Sequence, residues 1–279
     1  MSKSKNIAMK IWQVDFNHLP ATKNNLSRQW ELVICDRDTV YSARCDSEWA
    51  NSQWLETQFT TVAQNELPKK IQVFRPQALG LITLAAEKLG ITVEATRHTE
   101  TLKIALTQRA KSIPNYNPLA LEKPPPQPLP ESIRGDELNF ANIAAGEIVS
   151  LFGDRPIPIL DLPETFLPIN MRVASNIMIP GIVVYGGKNS MVLARWLQQQ
   201  QPVSLDYVTT EVGKSGGLVL ETGLVDRWIF NTFAGENTIR VAEDYQQKKQ
   251  ISKGLHFLLI QPDDSGMTYT GFWLLKNES

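Results

Sequence analysis

From Lys10 onward the chain alternates strand-like and helix-like stretches. Lys10 to Phe16 (KIWQVDF) interleaves Ile11, Val14 and two aromatics with polar residues, and Trp30 to Cys35 (WELVIC) is a short apolar run. Thr39 to Cys45 (TVYSARC) follows across Asp36-Arg37-Asp38, whose acids suit a tight turn. Three strands joined by short turns predict an antiparallel meander. Ser47 to Glu66 then places Trp54, Leu55, Phe59 and Val62 at helical spacing behind Ser47 as the expected N-cap. Ile71 to Phe74 reads as a strand, Pro76 to Leu89 as a helix stopped by Gly90, Ile91 to Ala95 as a strand, and Thr99 to Ile113 as a helix broken by Pro114. That alternation requires parallel strands with crossover helices, and the whole order, a meander followed by alternating helices and strands, predicts an α/β domain of ribonuclease-H-like topology.

Pro114, Pro118, Pro124, Pro125, Pro126, Pro128 and Pro130 then crowd into one stretch, where missing backbone donors favour extended geometry. The expected layout is a basic N-terminal domain over 1–116, a proline-rich spacer over 117–131 and an acidic C-terminal domain over 132–279. In the latter, Asp136 to Phe152 reads as a helix, Ile157 to Leu162 as an extended segment, and Ile179 to Tyr185 as a strand ended by Gly186-Gly187. Asn189 to Gln201 reads as a helix; Ser204 to Val212, Gly217 to Glu221 and Arg227 to Phe233 as strands; Ile239 to Ser252 as a helix; and His256 to Gln261 and Thr268 to Leu275 as a closing strand pair. Helices among so many strands predict a mixed α/β sandwich.

Composition narrows the function. Net charge is -1, which excludes a polybasic protein, but residues 1–120 hold 15 basic against 11 acidic side chains and the remainder 13 against 18. An anionic partner therefore favours the first half. Cys35 and Cys45 with three histidines offer neither a disulfide framework nor a metal-ligand spacing, so no metal and no cofactor are expected. The N-terminus MSKSKNIAMKIW has no apolar core of a leader, and no run approaches the ~20 apolar residues of a bilayer span. A cytoplasmic protein without a membrane span is the expectation.

The topology raises nuclease chemistry, which needs carboxylates around divalent metal. Asp15 on the first strand and Glu56 on the first helix qualify by type, but Arg75 stands after the fourth strand where an acid is needed, so Asp15 and Arg75 are expected to pair instead. In the second half Glu221-Thr222-Gly223 lacks the lysine of a nuclease motif, and the glycines around Lys214-Ser215 read as a hairpin turn. His256, in an apolar strand run, reads as a satisfied core or edge histidine. No enzyme activity is expected. Nucleic-acid binding instead combines bases with aromatics. Candidates in the first half are Lys69, Lys70, Arg75 and Arg97, with Lys103, Arg109 and Lys111, beside Trp12, Trp30, Trp54 and the best-placed Trp49. In the second half the neighbours Arg195-Trp196 and Arg227-Trp228 are read either as cation–π platforms or as partly buried helix and strand residues.

Taken in order, KIWQVDF, WELVICD, VFRPQ, LPESIRGD, IPGI, LARWL, GGLVLETG, DRW, GLHFLLIQPDD and GFWLL resemble the Tab/Atab family of RNA-binding proteins of cyanobacteria and chloroplasts, from Ile11 to Leu275. The family motifs fall on Trp12, Asp15 and Phe16; on Trp30, Glu31 and Asp36; on Arg75 and Gln77; and on Gly254, Phe272 and Trp273. Gln13 and Val14 depart from the family's usual Glu-Leu, Leu26-Ser27-Arg28-Gln29 stands where Gly-Lys-Lys is usual, and Leu138 to Ile148 replaces the usual Trp-Ala-Phe-Val. The resemblance implies binding of single-stranded, A/U-rich messenger RNA in translation or biogenesis of photosystem subunits, with the plastid stroma as the site in plant and algal relatives. The other reading is a protein-binding assembly scaffold on a dead nuclease-like fold, with ribosomal or photosystem-assembly proteins as partners. Oligomeric state is left open.

Overall fold

Side chains that alternate between two apolar layers build the first sheet. Its strands β1 (Ile11–His18), β2 (Gln29–Asp36) and β3 (Thr39–Asp46) form the expected meander, and β4 (Lys70–Val73) and β5 (Thr92–Ala95) join parallel to β1, giving the order β3-β2-β1-β4-β5. Trp12, Val14, Phe16, Leu32 and Ile34 face one way and bury against α1 (Ser52–Ala63) and α2 (Pro76–Lys88). Val33 and Cys35 face the other way and bury against α3 (Glu100–Ala110). Residues 10–20, 29–36, 39–64, 66–111, 113 and 116–277 are described by the computed structural model, and the chain divides into the units Met1–Glu122 and Lys123–Ser279. The N-terminal stretch over 1–9, Leu26-Ser27-Arg28, the turn expected at Arg37-Asp38 and Pro114 lie outside the described residues.

The cap of α1 differs from expectation. Asn51 caps it, its side chain accepting from the Trp54 N–H at 2.9 Å, while Ser47–Trp49 forms a separate single turn. Either residue type suits an N-cap, and the turn between them leaves Asn51 as the one adjoining the helix.

The proline-rich stretch is held along its length. Pro118 and Ala120 present carbonyls to Arg75, and Leu119 and Leu121 pack on the layer of Val33 and Leu102. In the second unit Gln127–Pro128 (β6) pairs with a later strand, and Leu129 and Ile133 enter the core.

That unit holds two further mixed sheets. After β7 (Glu137–Ala144) come α4 (Ile148–Phe152), β8 (Ile159–Asp161), β9 (Met178–Tyr185), α5 (Ser190–Gln200), β10 (Pro202–Glu211), β11 (Ser215–Thr222), β12 (Asp226–Ala234), α6 (Glu236–Ile251), β13 (Leu255–Gln261) and β14 (Gly271–Lys276). One sheet runs β7-β9-β13-β14-β8 and the other β10-β11-β12-β6. The helix expected over Asp136 to Phe152 is therefore wrong for most of its length: β7 pairs antiparallel with β9, and only Ile148–Phe152 is α-helical. Leu138 and Phe140 pack partly buried on one apolar layer and Ala141 and Ile143 on the other, so the apolar positions change parity midway and the strand period is lost. Along β13, His256, Leu258 and Ile260 face the layer of α5, α6 and the four-stranded sheet, while Leu255, Phe257 and Leu259 face that of α4. Among the described residues no helix is long and apolar enough to cross a membrane.

Candidate nucleic-acid interface

Parallel pairing of β1 with β4 brings Asp15 to Arg75, which stands at the entry to α2. The guanidinium forks onto the carboxylate, Nε to Oδ1 at 2.8 Å and Nη2 to Oδ2 at 3.1 Å, and donates further to the carbonyls of Pro118 at 2.6 Å and Ala120 at 3.2 Å. Burial pushes the Asp15 carboxyl above its ordinary value, with Arg75 pulling the other way. The expected pair is present. Arg75 as an RNA contact is corrected: it is buried with its donors engaged, which removes it from any surface. Arg97 is corrected likewise, being buried and accepting at its carbonyl from the Lys103 ammonium. Lys69 is exposed, and Lys70 is half-buried with Glu94 at 3.3 Å. Glu56, the other acid considered for metal, pairs with Lys88 at 3.2 Å. Among the described residues no three His, Cys, Asp or Glu side chains stand together as a metal site.

A second charged cluster lies nearby in the same unit. The β2–β3 register sets Glu31 opposite Arg44, and the last turn of α3 delivers Arg109, so Glu31 Oε1 accepts from Arg44 Nε at 2.9 Å and Arg109 Nη2 at 2.6 Å. Arg109 also donates to Ser42 at 3.1 Å. Arg44 was absent from the expected basic set.

Of the first unit's tryptophans, Trp12 is fully buried and donates to Asp36 at 3.2 Å, and Trp30 and Trp54 pack half-buried against Phe16, at ring distances of 5.0 and 5.7 Å. Trp49 alone among these four is open, at 60% exposure, with Asp46 and Glu48 beside it.

In the second unit the cation–π reading of the Arg-Trp neighbours is overturned in favour of the partly buried one. Adjacent residues diverge on a helix and point to opposite faces of a strand. Trp196 of α5 instead meets Trp228 of β12 edge to face at 5.2 Å, and the Trp228 indole donates to Thr222 at 3.0 Å. Arg227 donates to the Pro124 carbonyl at 3.3 Å and lies 3.9 Å from Glu221, which accepts from Lys123 at 2.8 Å on both oxygens. Arg195 is exposed on α5.

The remaining motif residues are architectural. Gly254 takes a φ of +83°, and its carbonyl accepts from His256 Nδ1 at 2.8 Å. Phe272 stacks on Phe152 at 3.9 Å, Trp273 is buried on the opposite face, and Gln77 is exposed in the first turn of α2. Around His256 lies a network that sequence reading missed. Its Nε2 accepts from the Leu205 N–H at 2.9 Å, while the Leu205 carbonyl accepts from Tyr245 and Lys249, each at 2.8 Å. Lys249, fully buried, also pairs with Asp206, which accepts from Asn277 at 2.9 Å. Burial, then the Lys249 charge, pushes His256 down to about 3, so the ring stays neutral, as its acceptor role requires. Burial raises Asp206, but Lys249 and Asn277 outweigh it and bring it to about 2. Burial pushes the Cys35 thiol up to about 11.

Two family models match the chain: the N-terminal domain of the RNA-binding protein Tab2/Atab2 over residues 11–109 and its C-terminal domain over 116–276. Relatives include the chloroplastic TAB2 homolog proteins of Arabidopsis thaliana, 29% identical over 96% of this chain and 75% of the relative, and of Zea mays, 25% identical over 96% and 72%. Among solved structures, the HTLV-2 integrase catalytic core domain aligns at 18% identity and a TM-score of 0.25, over 39% of this chain and 76% of that one. A simian T-cell lymphotropic virus intasome complexed with a PP2A regulatory subunit aligns at the same identity and TM-score, over 38% and 43%. Matched by both family models over most of its length, the chain belongs to the RNA-binding Tab2/Atab2 family.

Proposed function

We propose that this chain is a non-enzymatic factor that binds A/U-rich single-stranded messenger RNA and acts in translation or biogenesis of photosystem subunits. The observation that carries this is the match of both family models, named for an RNA-binding protein, over nearly the whole chain. The first unit is assigned a ribonuclease-H-like domain, supported by its strand order β3-β2-β1-β4-β5, and the second a separate domain beginning near Lys123. The guanidinium beside Asp15 supports a binding role over metal-dependent cleavage, since it repels the cation such chemistry needs. The surface assigned to RNA is the solvent-accessible basic part of the first unit: exposed Lys69 and Arg44 with half-buried Lys70 and Arg109. The chloroplastic relatives support a compartment in which photosystem messages are translated.

Electrophoretic titration against A/U-rich single-stranded RNA over a salt series tests the reading. Binding that weakens linearly in log salt is expected, and no binding at low salt overturns it. One observation favours a partner protein in addition: Trp49, exposed directly after Asp46 and Glu48 in the chain, sits where phosphate is repelled and an apolar or basic protein surface is not. A pull-down that keeps a protein partner after nuclease treatment and loses it in Trp49→Ala checks that contact.

A further inference from the structure

The Glu31–Arg44–Arg109 cluster opens onto a cavity of about 260 Å³ whose other walls include Tyr116, Leu19 and Ile113. That volume lies at the lower end of small-molecule pockets, enough for one nucleotide unit and far too small for a duplex. Its charged rim carries one carboxylate against two guanidiniums, so it favours an anion. Glu31, itself buried, binds both arginines at one oxygen and thereby fixes their orientation before any ligand arrives, which lowers the ordering cost of binding. Among the described residues Arg44 commits its Nε alone, and its side chain is 55% exposed, leaving the two terminal nitrogens as a fork toward solvent. The rest of the lining is mostly apolar, with Leu19, Leu106, Ala110, Ile113 and Pro118 beside the half-buried ring of Tyr116. A phosphate on the arginines and a planar base on the apolar side use every feature of the cavity.

We propose that this cavity takes one unstacked nucleotide of a single-stranded RNA, its phosphate on Arg44 and its base against Leu19, Ile113 and Tyr116. The assignment rests on the RNA-binding reading above and names where that grip lies. The test uses the full chain with a short uridine-rich RNA carrying 4-thiouridine, irradiated and mapped by peptide mass spectrometry, beside fluorescence titrations of wild type, Arg44→Gln and Arg44→Lys. Crosslinks at Leu19, Ile113 or Tyr116 are expected, with affinity at low salt reduced roughly tenfold in Arg44→Gln, the size of one charge-assisted contact. The salt slope falls by about one in that variant, and Arg44→Lys, which keeps the charge without the fork, recovers part of the affinity. Because Arg44 is surface-exposed, unchanged melting of both variants is expected and excludes unfolding as the cause. Crosslinks confined to other segments, or an Arg44→Gln affinity equal to wild type, overturn the cavity while leaving RNA binding in place. An absence of any RNA binding by wild type overturns both.

Discussion

His256 is held neutral by burial and by the Lys249 charge beside it, and this makes the second unit acid-labile in a window that can be calculated. Its folded pKa of about 3 lies below the ordinary value of 6.5, so between those two pH values the unfolded chain binds a proton that the folded one refuses. The stabilisation is fully present above pH 6.5 and is lost as pH falls, at about 1.4 kcal/mol per pH unit, to a total of about 5 kcal/mol. Asp206, held at about 2 against an ordinary 3.8, adds its own loss only below about pH 4 and so does not contribute between pH 7 and pH 5. Against a whole-domain stability of about 5–15 kcal/mol, that loss is large. Urea unfolding at pH 7 and pH 5, with hydrogen exchange of the Leu205 amide that donates to His256, reads it directly. Wild type is expected to lose about 2 kcal/mol between these conditions from this residue alone. His256→Gln keeps an acceptor for Leu205 without a titrating group and is expected to be less stable at pH 7 but flatter with pH. Equal pH dependence in the two proteins refutes the reasoning, because it places the titration elsewhere.

Three more perturbations test the packing. Arg75→Met strands a buried carboxylate and is expected to cost about 3–5 kcal/mol, measured by urea unfolding, with most of it recovered in the double variant Asp15→Leu/Arg75→Met. Because burial already raises the Asp15 carboxyl, the single variant's deficit shrinks as pH is lowered; a deficit that grows in acid contradicts the assignment. Gly181→Ala puts a Cβ 2.3 Å from the Phe257 ring and is expected to lower stability by about 1–3 kcal/mol, relieved by adding Phe257→Leu; no change in the melting temperature rejects this close approach. Cys35, buried and with its thiol pushed up to about 11, is expected to resist a thiol reagent until the unit unfolds, whereas half-buried Cys45 labels in the native protein; mass-spectrometric labelling rates that match refute this.

The meander and crossover helices were readable because each element of the first unit satisfies its local period, and the Asp15–Arg75 pair because one residue lies on the first strand and the other just past the fourth strand that pairs with it. The β7 segment was not, since its partly buried apolar residues change from one face to the other after Phe140 and break the alternation. Lys249 was invisible for a different reason: a lysine inside a run of charged and polar residues reads as solvated, and only the approach of β10 to α6 supplies the buried partners. The Trp196–Trp228 contact likewise joins two chemically conspicuous dipeptides through tertiary packing, where each dipeptide taken alone pointed to the wrong partner.

Arg44 is the instructive omission, because the information was in the chain. Asp36 pairs with Thr39 at the end of the β2–β3 ladder, and counting outward along it sets Glu31 opposite Arg44. Cross-strand register is thus as informative about a binding rim as composition. It also redirects the charge argument: the basic excess of the first 120 residues does not act as a diffuse stripe, since Arg75 and Arg97 are withdrawn into the interior. What it leaves at the surface beside a cavity is a pair of arginines oriented by one buried glutamate, and a grip built on so few fixed charges predicts few released counterions and therefore a shallow salt dependence.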